Sequence, residues 1–272
     1  MSNSATFEDR LRRVESRQNA RVKELRSAFR EAMPNQQHEV AIEGMHLLEE
    51  AIRSGLRLST AFFSESARQR AHKLLPQLSA HTEALLLPDE VFAGAVPSES
   101  PQGVAALVRV GACSLEQILA TQPALVLVTA GLQDPGNLGT IARSGEAFGA
   151  TGLLLGEGSV SPWNWKAVRA SAGSLFRLPT AKVQLTEALR EIKSRRMRVV
   201  ATSSHKGTAV WDADLRGPLA VVIGGEGAGV PRDVLSQVDE VVAIPQTPKV
   251  ESLNAGIAAS ILLYEAAKQR RD

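Results

Sequence analysis

LAVVIGGEGAG (219–229), VPRDVLSQ (230–237), VDEVVAIPQ (238–246) and TPKVESLNAGIAASILLYEAAKQ (247–269) follow one another without a break. Leu219–Ile223 is a short apolar, β-branched run ending in glycines, as in a strand buried on both faces of a parallel sheet. Pro231 suits the first turn of a helix, where its missing N–H costs nothing. Glu240–Ile244 reads as a second buried strand, stopped by Pro245. Ser252–Gln269 carries Leu253, Ile257, Ile261, Leu262 and Tyr264 at helical spacing. Gly224–Gly229, Ile244–Gln246 and Ser252–Asn254 are therefore element ends rich in glycine or small polar groups. Ligands of a parallel α/β sheet bind beyond the carboxyl ends of its strands, so the site is expected here.

Upstream the same alternation continues. Ala124–Thr129 is strand-like, and GLQDPGNLG (131–139) is a loop with two turn signals, Asp134-Pro135 and Gly136-Asn137. Thr140–Phe148 reads as a helix and Gly152–Leu155 as a strand. A loop and helix with Trp163 and Trp165, a helix from Thr186 and a strand at Arg198–Thr202 lead into the C-terminal block. Strands alternating with helices give a mostly parallel α/β sheet. Between Gly111 and Pro123 lies a short helix with Ser114 and Gln117 spaced as a capping box. The domain boundary is placed there, dividing the chain into 1–111 and 112–272.

The first part reads as a smaller α/β unit: a strand from His38, a helix closed by Gly55, the strand RLSTAFFS, a helix up to Leu75, the strand EALLL, a short helix after Pro88 and the strand GVAALVRV. Ser98–Gly103 is its most evident loop. Ahead of it, Arg10 to Arg30 is basic and helical in pattern, read as two helices with Asn19 capping the second. A solvated helix face and a surface for nucleic-acid phosphates are equally open readings of this run.

The chain of 272 residues is 44% hydrophobic with a net charge of +2, enough for a packed core and compatible with a polyanionic partner. Cys113 is the single cysteine, which excludes an internal disulfide and any cysteine-based zinc site. His38, His46, His72, His81 and His205 show no paired metal-ligand spacing, so no metal is expected. No apolar run is long enough to cross a bilayer, and the first residues lack a signal-peptide core. A cytoplasmic protein is the expectation.

The glycine string 224–229 invites a dinucleotide reading, but G-x-G-x-x-G spacing is not met and no phosphate-loop G-K-[ST] ending is present. Glycines for a tight turn are the simpler explanation of the string. Glu226 among them is a carboxylate on a backbone that a ligand approaches closely. Arg143 taken alone is a surface ion pair; beside the C-terminal loops it suits phosphate. Asn137 is placed in the loop before its helix. Ser252 reads as an N-cap, and Asn254 as either an exposed or a site residue. The small residues 255–260 admit close approach of the protein's own sheet or of a second subunit. Trp163, Trp165 and Phe176 read as packing rather than base stacking.

Three segments in order, DPGNLGTIARSGEAFG, VVIGGEGAGV and IPQTPKVESLNAGIAASILLYEA, resemble the motifs of the SpoU/TrmH family of RNA ribose 2′-O-methyltransferases, in the SPOUT superfamily. The resemblance spans about Leu125 to Arg270. The N-terminal part, through SPQGVAALV, is similar to the RNA substrate-binding domain often fused ahead of this module. The resemblance implies a deep trefoil knot, a homodimer packed through the knotted region, and S-adenosylmethionine as cofactor. It implies Gly224, Ile244 and Leu253 as cofactor contacts, joined by Thr202 and Gly229 from the adjoining strand end and loop. Arg143, Asn137, Glu226, Ser252 and Asn254 match its polar active-site positions.

Two departures stand out: Gly225 where the family often has Asn or Ala, and Ile244-Pro245-Gln246-Thr247-Pro248 where it usually has I-P-M-x-G. The expected activity is 2′-O-methylation of a ribose in structured RNA, with 23S rRNA ahead of tRNA. A non-catalytic RNA-binding or ribosome-assembly protein keeping the fold is the alternative, drawn from Gln246 and Pro248. A nucleotide-dependent oxidoreductase is argued against by the glycine spacing.

Overall fold

The computed structural model describes residues 10–204, 206–227, 229–247 and 249–271. The chain forms two compact units, one of Met1–Gly111 with Trp163–Phe176, the other of Ala112–Pro162 with Arg177–Asp272.

The first unit holds a five-stranded sheet of β1 (Leu11–Arg13), β2 (Glu39–Glu43), β3 (Arg57–Ser64), β4 (Glu83–Leu87) and β5 (Val104–Arg109), in the order β1-β4-β3-β5-β2. β5 runs antiparallel to β2 and β3, while β4 is parallel to β1 and β3. Helix α1 (Ala20–Glu31) is capped by Asn19, as its sequence implies, and buries Val22, Leu25 and Phe29. The segment ahead of it differs from the helix expected there. Leu11–Arg13 is an edge strand, because Leu11 pairs with Ala84 and is buried while both arginines face water. Helix α2 (Met45–Arg53) begins at Gly44, whose φ of 104° suits only glycine.

Residues 163–176 differ from the expected division too. Their helix, Trp165–Ser171, belongs to the first unit, where Trp165 packs against the cluster of Phe29, Phe62, Leu85 and Phe92. Gly173 lies so close to α2 that a Cβ there would sit 2.8 Å from that of Glu50. Hydrophobic burial thus overrides sequence continuity.

The second unit is built on seven parallel strands in the order β10-β12-β9-β11-β6-β7-β8. They are β6 (Leu125–Ala130), β7 (Gly152–Leu155), β8 (Thr180–Lys182), β9 (Arg198–Ser203), β10 (Thr208–Ala209), β11 (Leu219–Gly224) and β12 (Glu240–Ala243). β6 and β11 are buried at every position, which explains why they read as unbroken apolar runs rather than alternating ones. The two outermost strands, β8 and β10, carry too few residues for a pattern and have no counterpart in the sequence reading.

Two helices of this unit matter for the site. Helix α3 (Pro135–Ala147) starts five residues earlier than expected: Asp134 is its N-cap, accepting the Asn137 N–H at 2.7 Å, and Pro135 takes the first position. Helix α4 (Ala255–Gln269) is capped by Asn254 rather than Ser252. The two pack closely, with Thr140 against Gly256 and the Ser144 and Ser260 hydroxyls 2.6 Å apart. The small residues of α4 therefore receive α3 of the same chain. Among the described residues no helix is long and apolar enough to cross a membrane.

Candidate active site

Strands β12, β9 and β11 are neighbours, so their carboxyl ends lie side by side. The segments leaving those ends, together with residues 251–254 ahead of α4 and its first turn, enclose a cleft of about 720 Å³. That is the size of a small-molecule site. Thr202, Gly224, Gly229, Ile244 and Leu253 all line it, and so do Glu226, Ser252 and Asn254. Asn137 and Arg143 are not among its lining residues.

The floor is bare backbone, and that bareness is enforced by packing. A Cβ on Gly224 would fall 2.2 Å from the Gly229 carbonyl carbon. The loop folds back on itself there, with the Gly229 N–H donating to the Gly225 carbonyl at 3.0 Å. A Cβ on Gly225 would lie 2.4 Å from the Gly131 carbonyl oxygen. Glycine at this departure from the family pattern is thus a steric requirement of this chain, set by the close approach of residue 131.

Glu226 ties the loop to α3. Its Oε1 accepts from Asn137 Nδ2 at 2.6 Å, and its Oε2 accepts from the Gln133 N–H at 3.4 Å. Burial works to raise the Glu226 carboxyl, but hydrogen bonds from Asn137 and from the backbone at Glu226, Gln133 and Asp134 outweigh it. The net result lies below the usual carboxylate range, so Glu226 is an anion at neutral pH. Asn137, only 7% exposed, sits in the first turn of α3 rather than in the loop before it, which aims its amide at Glu226.

Arg143 stands further along α3, three residues past the Thr140 that meets Gly256. It is exposed and makes no hydrogen bond or ion pair among the described residues. Asn254 spends its oxygen on the Ile257 N–H of its own helix at 3.2 Å, which leaves its amide nitrogen as a donor. Thr202 donates its hydroxyl to the Val222 carbonyl at 3.3 Å, joining β9 to β11. Lys206 and Glu251 also line the cleft and were not anticipated.

The donor set fits S-adenosylmethionine. Gln246 Oε1 is buried at the cleft without a hydrogen-bond partner, an acceptor in need of an N–H. Gln246 therefore supplies a polar contact where the family's Met would not. Pro248 lies outside the described residues.

A wholly parallel sheet with a ligand-sized cleft over three adjacent strand ends and a backbone floor defines an α/β protein that binds a small cofactor at its carboxyl edge. Residues 124–264 match the SpoU rRNA Methylase family, and residues 19–106 match the MRM3-like substrate binding domain. The chain belongs to the SpoU rRNA methylase family, and with it to the S-adenosylmethionine-dependent RNA methyltransferases. It is 35% identical to the uncharacterized tRNA/rRNA methyltransferase slr1673 of Synechocystis, over 94% of each chain. It is 30% identical to the 23S rRNA (guanosine(2553)-2′-O)-methyltransferase RlmP of Bacillus subtilis, over 93% of this chain and 98% of that one. The crystal structure of the SpoU methyltransferase AviRb from Streptomyces viridochromogenes, in complex with AdoMet, superposes with a TM-score of 0.82 at 29% identity, covering 94% and 99% of the chains.

Proposed function

We propose that this protein methylates the 2′-oxygen of one ribose in 23S rRNA, with tRNA as the second reading. The observation that carries the proposal is the convergence of Gly224, Glu226, Ile244, Leu253 and Asn254 on one cleft with a backbone floor. The full-length likeness to RlmP supports rRNA, and the tRNA reading draws on the name of the Synechocystis relative.

S-adenosylmethionine supplies an activated methyl group on a positive sulfonium. The cleft residues Thr202, Gly224, Gly229, Ile244 and Leu253 bind it, and Gln246 takes one of its N–H donors. A ribose hydroxyl is a weak nucleophile until its proton is removed or tightly held. Arg143 clamps the phosphate next to the acceptor ribose and stabilises negative charge on the attacking oxygen. A guanidinium holds its own proton too strongly to act as the base, so the proton of the ribose hydroxyl passes to the phosphate or to water. Glu226, fixed by Asn137, and the Asn254 amide orient the ribose, and Ser252 supports the loop. Because charge vanishes as the bond forms, proximity and exclusion of water supply most of the acceleration.

Family membership supports a finer architecture. The C-terminal segment threads a loop to make the trefoil knot, and residues 1–111 carry RNA binding. The working form is a homodimer in the cytoplasm. Ile257, Ile261 and Tyr264 support the dimer: they recur along the outer side of α4, 51%, 36% and 57% exposed, as an apolar stripe for a second copy. The test is a map of 2′-O-methylriboses in total RNA from cells with and without the protein. One 23S rRNA site lost without it is the expected result; an unchanged map refutes the assignment, and a lost tRNA site selects the second reading.

A further inference from the structure

The first unit contains a cavity of about 210 Å³ that the methyl-transfer reading leaves unused. At roughly 30 Å³ per water, it holds about seven waters' worth of volume, the scale of a heterocycle rather than of a single solvent molecule. Helix Trp165–Ser171 forms one wall with Trp165, Val168 and Arg169, which share a face at i, i+3 and i+4. β2 and the loop ahead of β5, residues 98–102, form the other wall with Glu43, Ser98 and Gln102.

The chemistry of these walls is uneven. Glu43 is half-buried: burial pushes its carboxyl up, and a hydrogen bond from Ser98, the charge of Arg169 and the Gln102 backbone N–H pull it back. Ser98 Oγ holds Glu43 Oε2 at 2.7 Å. Gln102 is fixed as well, since Arg70 donates to its carbonyl. The Lys166 ammonium lies 5.6 Å from the Trp165 ring centroid, and both Lys166 and Arg169 are exposed. An acceptor-only group therefore sits inside, an indole lines the wall, and cations stand at the rim. That order, donor-seeking within and phosphate-seeking without, matches a single unstacked nucleotide.

We infer that this cavity binds one extruded guanine base of the RNA substrate, stacked on Trp165 with its Watson–Crick edge on Glu43 and its flanking phosphates on Arg169 and Lys166. Guanine is the base whose Watson–Crick edge carries two adjacent N–H donors, the complement of a carboxylate with two acceptor oxygens. Adenine, cytosine and uracil each set a bare acceptor against it. The inference rests on the RNA-methyltransferase reading.

The test is fluorescence anisotropy with the full chain and 5′-labelled hexanucleotides UUGUUU and UUAUUU, alongside intact 23S rRNA. The wild type is expected to prefer UUGUUU by about tenfold, the ratio that one good paired contact gives. Glu43→Gln, which keeps the shape, should bring the two within about twofold and leave UUAUUU binding unchanged. Trp165→Leu, which keeps apolar bulk, should weaken both hexamers. Calorimetry with guanosine monophosphate distinguishes a free nucleotide from an RNA segment: affinity tighter than that for UUGUUU contradicts the RNA assignment. Binding of 23S rRNA with equal affinity for the two hexamers, or a guanine preference that survives Glu43→Gln, overturns the cavity's role alone. Failure to bind any RNA overturns the enzyme reading with it.

Discussion

Glu226 and Gly224 show how single residues set the site. The Glu226 carboxyl lies below its ordinary range in the folded protein, so its stabilising contribution is fully present above the ordinary carboxylate range of the unfolded chain. It is lost as pH falls through the lowered folded value. Glu226→Gln should therefore lower the thermal midpoint at pH 7, and the difference from wild type should shrink towards pH 3. A gap that stays constant with pH contradicts an anionic tether between Glu226 and Asn137. Gly224 acts through space rather than charge. Alanine there places a methyl 2.2 Å from the Gly229 carbonyl carbon, and backbone cannot give way as a side chain does. Gly224→Ala should weaken S-adenosylmethionine binding at least about tenfold by calorimetry; unchanged affinity means that the glycine loop is not the cofactor floor.

Elements are positioned by the same close approaches. Gly152 opens β7, and a Cβ on it would lie 2.4 Å from Ile118 Cγ2. Overpacking of this kind costs about 1–3 kcal/mol, so Gly152→Ala should lower the denaturant midpoint with little change in slope. Helix α4 presents two faces with different fates, one against α3 and one exposed. Ile257→Asp on the exposed face should convert a dimer to a monomer in analytical ultracentrifugation, and an unchanged sedimentation coefficient contradicts pairing through that stripe. Strands β6, β9, β11 and β12 were legible because buried parallel strands are continuous apolar runs. Asn137 was misplaced because Asp134-Pro135 and Gly136-Asn137 carry the residue types of a turn. The same Asp and Pro also make a good N-cap and first position, and that local chemistry prevailed. Leu11–Arg13 is too short for its period to separate strand from helix; pairing with β4 decides it.

At the scale of the molecule, local motifs make the strand ends that line the cleft legible in the sequence, whereas burial between distant segments leaves no local signal. Thr202, Gly224, Gly229, Ile244 and Leu253 can be placed at the cleft because glycine and small polar groups cluster at strand ends. Lys206 and Glu251 could not, because nothing local marks an exposed charge as facing a cleft. Residues 163–176 pack with the first unit, which no periodicity encodes. Deleting residues 1–111 alone should therefore yield aggregates, as Trp165, Val168 and Leu175 lose the surfaces they bury against. Replacing 163–176 with a short polar linker in the same truncation should restore a soluble protein that binds cofactor. The central claim is that Arg143 serves transfer and not cofactor binding. Its most direct test is single-turnover methyl transfer to 23S rRNA by Arg143→Ala, with cofactor affinity measured on the same sample. Transfer should fall by about a hundredfold or more while the Kd for S-adenosylmethionine stays within about twofold; undiminished transfer, or parallel loss of both, contradicts the account.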